Sequence, residues 1–265
     1  MSTNPGAASA LEPRAVTREI EIDAPVETVW TALTDARELA RWFPLEAQAT
    51  PGLGGSIWLR WDAADETDQT RIETWEPGRH LRAVGYGGSW EGIATDYYLE
   101  GRGGGTVLRV VSSGFGPGEA GESVARSYGT GWDFELRSLR HYLQRHRGRD
   151  RRVAWPQVPY QCTDQEAWAR ITGPGGWLGA EGVAHLPPGA RFLARTPDGD
   201  DVTGAILVVE APDQLAATVD RWNDSLLRVM LYRRVASVWL ATWGVAPAEV
   251  DALQRKWQAS LAVAF

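Results

Sequence analysis

Arg18-Glu-Ile-Glu-Ile-Asp-Ala-Pro-Val-Glu-Thr-Val-Trp-Thr-Ala-Leu-Thr-Asp-Ala-Arg-Glu-Leu-Ala-Arg-Trp-Phe-Pro44 is the stretch whose reading decides the fold. Residues 18–22 alternate, with Ile20 and Ile22 on one face and Glu19 and Glu21 on the other, as a half-buried strand does. Pro25 suits the first turn of a helix, where its missing N–H costs nothing, and Glu27 complements the positive helix end. Val26, Val29, Trp30 and Leu33 then fall at i, i+3, i+4 and i+7, one apolar stripe. Leu39, Trp42 and Phe43 repeat the pattern in a shorter helix that Pro44 stops.

Downstream the periodicity changes to strands. Ser56–Trp61, Gln69–Trp75, His80–Tyr86, Glu91–Glu100 and Thr106–Ser112 are separated by short Gly- and Pro-containing turns, which predicts an antiparallel meander. A helix over about 122–146 follows, with Trp132, Leu136, Leu139 and Leu143 on one face. A curved sheet folded around that last helix buries every apolar face in the series.

This order resembles the SRPBCC (START-like, helix-grip) superfamily, and in particular the branch homologous to activators of the heat-shock protein 90 ATPase. Gly131-Trp132 with Leu136, Leu139, Tyr142 and Leu143 is similar to the family's closing helix, and Thr106-x-Leu108-x-Val110 running into Gly114-Phe115 to its last strand. The resemblance covers about 16–146. It implies a cup, with ligand binding, polyketide cyclase or dehydratase chemistry, or a co-chaperone-like protein interaction as the functions such a domain hosts. Where the family's strand into Gly114 often carries a histidine, this chain has Ser112, so histidine chemistry does not transfer.

After His146–Arg152, a linker by composition, the pattern restarts. Thr163 and Glu166 spell a capping box, strands are expected at 191–195, 204–210, 217–222, 226–232 and 237–243, and Pro247 opens a helix carrying Val250, Leu253 and Trp257. Ala211-Pro212 before Leu215 echoes Glu76-Pro77 before Leu81. The fold class predicted is therefore α+β, two tandem helix-grip domains, each a curved antiparallel sheet around a long C-terminal helix, the second divergent. The expected division is a disordered tail at 1–14, a first domain at 15–147, a linker at 148–152 and a second domain at 153–265. Gly173-Pro-Gly-Gly176 leaves the second short helix of the repeat open.

Composition narrows the function. The 265 residues carry a net charge of −7, and residues 1–150 hold 16 arginines against 22 acidic residues, which argues against a dedicated nucleic-acid binder. The single cysteine, Cys162, excludes an intramolecular disulfide and fits a reducing compartment. Without a signal-like N-terminus or a membrane-length apolar run, a cytoplasmic location is expected. Lys256 is the sole lysine, which leaves little room for Schiff-base chemistry.

Several constellations have an ordinary structural explanation. Gly116-Pro-Gly-Glu-Ala-Gly121 fits GxGxxG by letter, but antiparallel neighbours, a proline and two glutamates contradict a dinucleotide loop. Asp62, Asp65, Glu66 and Asp68 lack EF-hand spacing and read as a hairpin tip. His80, His141, His146 and His185 show no metal spacing, and neither metal nor cofactor is assigned. The run of arginines from Arg137 to Arg152 suits a helix C-terminus and an exposed linker. Gly87-Gly-Ser-Trp-Glu91 is not a nucleophile elbow.

What stands out is tryptophan, 14 of them. The expectation is a cup lined by aromatics that binds a small hydrophobic or aromatic ligand without turning it over, in a regulatory role, with a protein partner or homodimer as the rival partner. Trp58, Trp90, Tyr97, Ser112 and Trp132 are the expected lining, Ser112 near the mouth, and Trp75 is placed on the outer face of its strand. For acid–base chemistry the alternatives are Arg60, Glu73, Tyr97, Tyr98 and Arg109. Strand parity, which decides among these, is not fixed by sequence alone.

Overall fold

The computed structural model describes residues 14–61, 67–179 and 182–265. The expected tail up to residue 13, and Asp62, Asp65 and Glu66 of the acidic hairpin tip, lie outside them.

The opening segment folds as its pattern dictates: β1 (Ala15–Ile22), α1 (Val26–Thr34) and α2 (Ala36–Ala40). Val29, Trp30 and Leu33 are buried along one face of α1, and Asp35 caps α2 by accepting from the Glu38 amide. Trp42 is almost fully buried and its Nε1 donates to the Ala32 carbonyl at 2.9 Å, which locks the two short helices together. The chain continues through β2 (Glu46–Thr50), β3 (Ser56–Arg60), β4 (Thr67–Glu76), β5 (His80–Gly85), β6 (Ala94–Arg102) and β7 (Gly105–Ser113) to the grip helix α3 (Gly118–His141). The sheet order is β1-β7-β6-β5-β4-β3-β2, antiparallel throughout. Trp132, Leu136 and Leu139 of α3 face this sheet's core. Ser138 donates to the Trp42 carbonyl at 2.9 Å and so fastens α3 to the end of α2.

The second half repeats the plan. Its elements are β8 (Arg151–Ala154), β9 (Gln157–Pro159), α4 (Asp164–Thr172), β10 (Arg191–Arg195), β11 (Asp201–Glu210), β12 (Gln214–Val219), β13 (Ser225–Tyr232) and β14 (Val235–Trp243), closed by a C-terminal helix (Pro247–Ala264). The order β8-β14-β13-β12-β11-β10 matches the first sheet strand for strand without its last edge. A second correspondence is finer. β4 slips register against β5 between Ile72 and Thr74, and β11 slips against β12 between Ile206 and Val208. Two bulges at equivalent places mark a duplicated unit, because a bulge is a specified feature of a strand and not a defect. The chain is thus α+β, with two tandem helix-grip domains.

Two boundaries differ from expectation. Arg151 and Arg152, read as linker, begin β8 and pair with Trp243 and Thr242. Composition misleads here because an edge strand tolerates charge on its open side. The second short helix of the repeat, left open by Gly173–Gly176, is absent among the described residues: turns run from Gly173 to Gly179 and a single 3₁₀ turn stands at Val183–His185.

The halves share a core. α3 presents Phe134 to Val208 and Ala216 on the second sheet, and Leu226, Ala241 and Trp243 join the hydrophobic cluster of the first half. Trp243 Nε1 donates to the Arg41 carbonyl at 2.9 Å, a buried bond from β14 to the end of α2. The grip helix is therefore sandwiched between its own sheet and the next domain's. Among the described residues no helix is long and apolar enough to cross a membrane.

Candidate functional site: an aromatic box under the grip helix

The inner face of the first sheet is set by Ile57 and Leu59 on β3, Ile72 on β4, Leu81 on β5, Thr95 and Leu99 on β6, and Leu108, Val110 and Ser112 on β7, all buried. Side chains alternate along a strand, so Tyr97 is inward as well and Trp58 is not. Trp58 sits between Ile57 and Leu59, opposite Gln69, on the outer face. The expected role of Trp58 in the lining is corrected accordingly. Trp75 changes places with it. The bulge at Glu73 shifts the parity of β4, brings Trp75 opposite Leu81, and packs its ring edge-on to Trp30 at 4.9 Å. One inserted residue overturned the parity reading at Trp75.

One end of the cup is filled by this packing, from Trp30 and Trp75 to Leu81, Leu99 and Leu139. The remaining end is an aromatic box. Tyr97 meets Trp132 at 5.7 Å, Trp132 stacks on Phe43 at 5.5 Å, and Phe43 meets Trp61 edge-on at 4.7 Å. Trp61 and Trp90 lie 5.6 Å apart, Trp90 and Tyr128 5.8 Å, and Tyr128 and Phe115 5.1 Å. Trp90 is delivered by the 3₁₀ turn Gly88–Trp90 between β5 and β6. Phe115 is delivered by Gly114, whose φ of +92° and close approach to the Gly92 carbonyl exclude any side chain.

The polar groups of the box fall into two kinds. Ser112 is fully buried, 3.0 Å from the Thr95 hydroxyl, and accepts from Trp132 Nε1 at 3.1 Å. It is an internal clamp that fixes the Trp132 ring, and not the expected contact near the mouth. The Trp61 indole N–H and the Tyr128 hydroxyl, by contrast, are buried with no partner among the described residues. Burial, with the charge of Asp68 adding to it, raises the Tyr128 phenol well above its ordinary range. Burial does the same to Tyr97, helped by Asp96. Both hydroxyls stay protonated at neutral pH and can donate.

The expected acid–base alternatives do not converge. Tyr97 points inward, whereas Tyr98 and Arg109 stack on each other on the outer face at 4.9 Å, Arg60 pairs with Glu46, and Glu73 lies 3.5 Å from Arg82. The outer face carries its own group, the nearly buried Asp96 held by His80 Nε2 at 2.7 Å and by Arg82, beside a groove of about 440 Å³ lined by Glu19, Tyr98 and Arg109. Sequence reading missed Phe43, Trp61, Phe115 and Tyr128 as members of the box. Only the helical offset of four between Tyr128 and Trp132 could have signalled any of them.

Residues 23–144 match the family of Activator of Hsp90 ATPase homolog 1-like proteins. The match lies within the first of the two domains. Solved structures to which the chain is similar include the Aha1 dimer from Colwellia psychrerythraea, 21% identical, covering 49% of this chain and 96% of that one with a TM-score of 0.44. The di-domain ARO/CYC BexL from the BE-7585A biosynthetic pathway is 12% identical over 95% of this chain and 97% of its own, TM-score 0.46. DynU16 of the dynemicin biosynthetic locus is 20% identical over 94% and 96%, TM-score 0.43. No curated protein matches the chain.

Proposed function

We propose that the first domain binds a small, largely apolar aromatic molecule in the box formed by Phe43, Trp61, Trp90, Tyr97, Phe115, Tyr128 and Trp132. The observation that carries this reading is the pair of unpartnered buried donors, Trp61 Nε1 and Tyr128 OH, in one aromatic enclosure. A buried polar group left without a partner costs about 1–3 kcal/mol, which a ligand carrying a carbonyl or hydroxyl acceptor would offset. Aromatic walls supply the rest, since about 300 Å² of buried apolar area is worth about 7 kcal/mol before association costs. Among the described residues no nucleophile and base stand within reach of each other in the box, so binding is favoured over turnover. A cyclase-like activity would require Tyr97 or Tyr128 to act as the acid.

The test is titration of the full chain with a panel of polycyclic phenols and quinones, read by tryptophan fluorescence and by melting temperature. A bound ligand quenches the fluorescence and raises Tm by mass action. Tyr128→Phe should weaken binding about tenfold, the worth of one hydrogen bond, while leaving the unliganded protein as stable as before or more so. A panel without quenching or thermal shift, or wild-type affinity in both Tyr128→Phe and Trp90→Ala, would remove the box from consideration and favour a protein-interaction role. Product formation in the same mixtures would favour the enzyme.

A further inference from the structure

We propose that His141, His146 and Asp224 form a divalent transition-metal site of the zinc type that staples the end of the grip helix to the second domain. Their candidate ligand atoms all lie within 4.8 Å of one another. A tetrahedral Zn²⁺ holds nitrogen at about 2.0–2.1 Å and carboxylate oxygen at about 2.0–2.2 Å, so its ligand atoms stand about 3.3 Å apart. Side-chain rotation alone covers that difference.

The linear spacing hides the site. Two residues five apart on an α-helix point about 140° away from each other. After His141, however, α3 gives way to one π turn at Tyr142–His146. Bonds from i to i+5 bring residues five apart onto one side, and such turns concentrate at functional positions. The imidazole centroids of His141 and His146 are 5.1 Å apart as a result.

The facing element is equally specific. Trp222, Asn223 and Asp224 have φ of 56°, 63° and 57°, three successive left-handed residues that are not glycine. Backbone of this kind persists only where its surroundings enforce it. It aims the Asp224 carbonyl at both rings, 2.7 Å from His141 Nε2 and 2.8 Å from His146 Nε2. That carbonyl is a fourth oxygen-type donor within the same space.

The donor chemistry fits. Two imidazoles with a carboxylate suit zinc better than calcium or magnesium, which take oxygen ligands. His146 is 3% exposed, its ring lies flat on Trp243 at 4.6 Å, and its Nδ1 has no partner, so the carbonyl alone does not satisfy it. Arg140, Arg145 and Arg149 are the nearby cations. Arg145 stands 3.6 Å from the Asp224 carboxylate, but it is two-thirds exposed and can swing into water when a metal takes its place.

The experiment uses the full chain stripped with a chelator. Calorimetric titration with Zn²⁺ should show one equivalent bound, Co²⁺ should give the visible ligand-field bands of a low-coordinate nitrogen-ligated site, and Zn²⁺ should raise Tm. Asp224→Asn and His141→Gln change partly exposed side chains, so both should fold without metal, as circular dichroism will verify. Each should lose at least about tenfold in Zn²⁺ affinity together with the Tm rise, whereas the control His185→Gln should lose neither. Wild-type protein that takes up no Zn²⁺, or variants that bind it as tightly, would overturn the proposal and leave the two rings as a hydrogen-bonded clamp on the Asp224 carbonyl.

Discussion

At the scale of single residues, the exchange of Trp58 and Trp75 shows what a strand register controls. Both are tryptophans on neighbouring strands, yet one packs on Trp30 in the core and the other lies on the outer surface of the sheet. Truncating a buried tryptophan costs about 3–5 kcal/mol, and a partly buried one correspondingly less. Trp75→Ala should therefore destabilise the chain by about 2–4 kcal/mol in denaturant unfolding, while Trp58→Ala stays within about 1 kcal/mol. Equal losses would mean that the bulge at Glu73 does not set the parity of β4. The same register makes Ser112 an internal clamp: once it is inward, its hydroxyl can reach only Thr95 and Trp132.

At the scale of elements, local chemistry and tertiary demand mostly agree. The capping box forms as its letters require, with Thr163 accepting from the Glu166 amide and Glu166 accepting from the Thr163 amide. Removing the cap hydroxyl typically costs about 1 kcal/mol. Thr163→Ala should lower stability by about that much without changing ligand or metal binding, because neither proposed site draws a residue from α4. A loss near zero would show that packing of Trp168 and Ile171 alone holds the helix. The conflict between levels comes at the end of α3, where the helix adopts a π turn and the facing loop runs through three left-handed residues. Sites that break local rules in this way are where function is expected.

At the scale of the whole molecule, the two domains fold against each other through a polar seam within an apolar interface. Glu135 of α3 is buried beside Arg228 of β13, 3.7 Å away, with Arg151 of β8 opposing the shift from farther off. Desolvation dominates over both arginines and pushes the Glu135 carboxyl up to about 7. The folded chain then holds a proton between about pH 4.5 and 7 that the unfolded chain has released. Stability contributed by this group is present at the acid end and is lost as pH rises through 7. Subtracting the urea stability of Glu135→Gln from that of the wild type should isolate this slope, on the order of 2–3 kcal/mol across the window. His141 and His146, held below their ordinary range, act in the opposite sense, so the variant is needed to separate them. A flat difference curve would show that Arg228 keeps Glu135 ionised.

The sequence by itself determined the order of the longer elements, though not the short strands β2 and β9, together with the identity of the grip helix, the cap on α4 and the duplication of the plan, because each depends on periodicity or on contacts a few residues long. Trp30, Trp132, Leu136 and Trp257 are buried where their 3.6-residue spacing places them. Only the tertiary structure decided which tryptophans face inward, since a single extra residue at Glu73 inverts a period of two. It alone brought Trp61 and Tyr128 together from residues 67 apart in the chain, and His141, His146 and Asp224 across the domain boundary. Such sites depend on how sheets curve and dock, and that is fixed by the balance of packing over the whole chain, which no short window of residues contains.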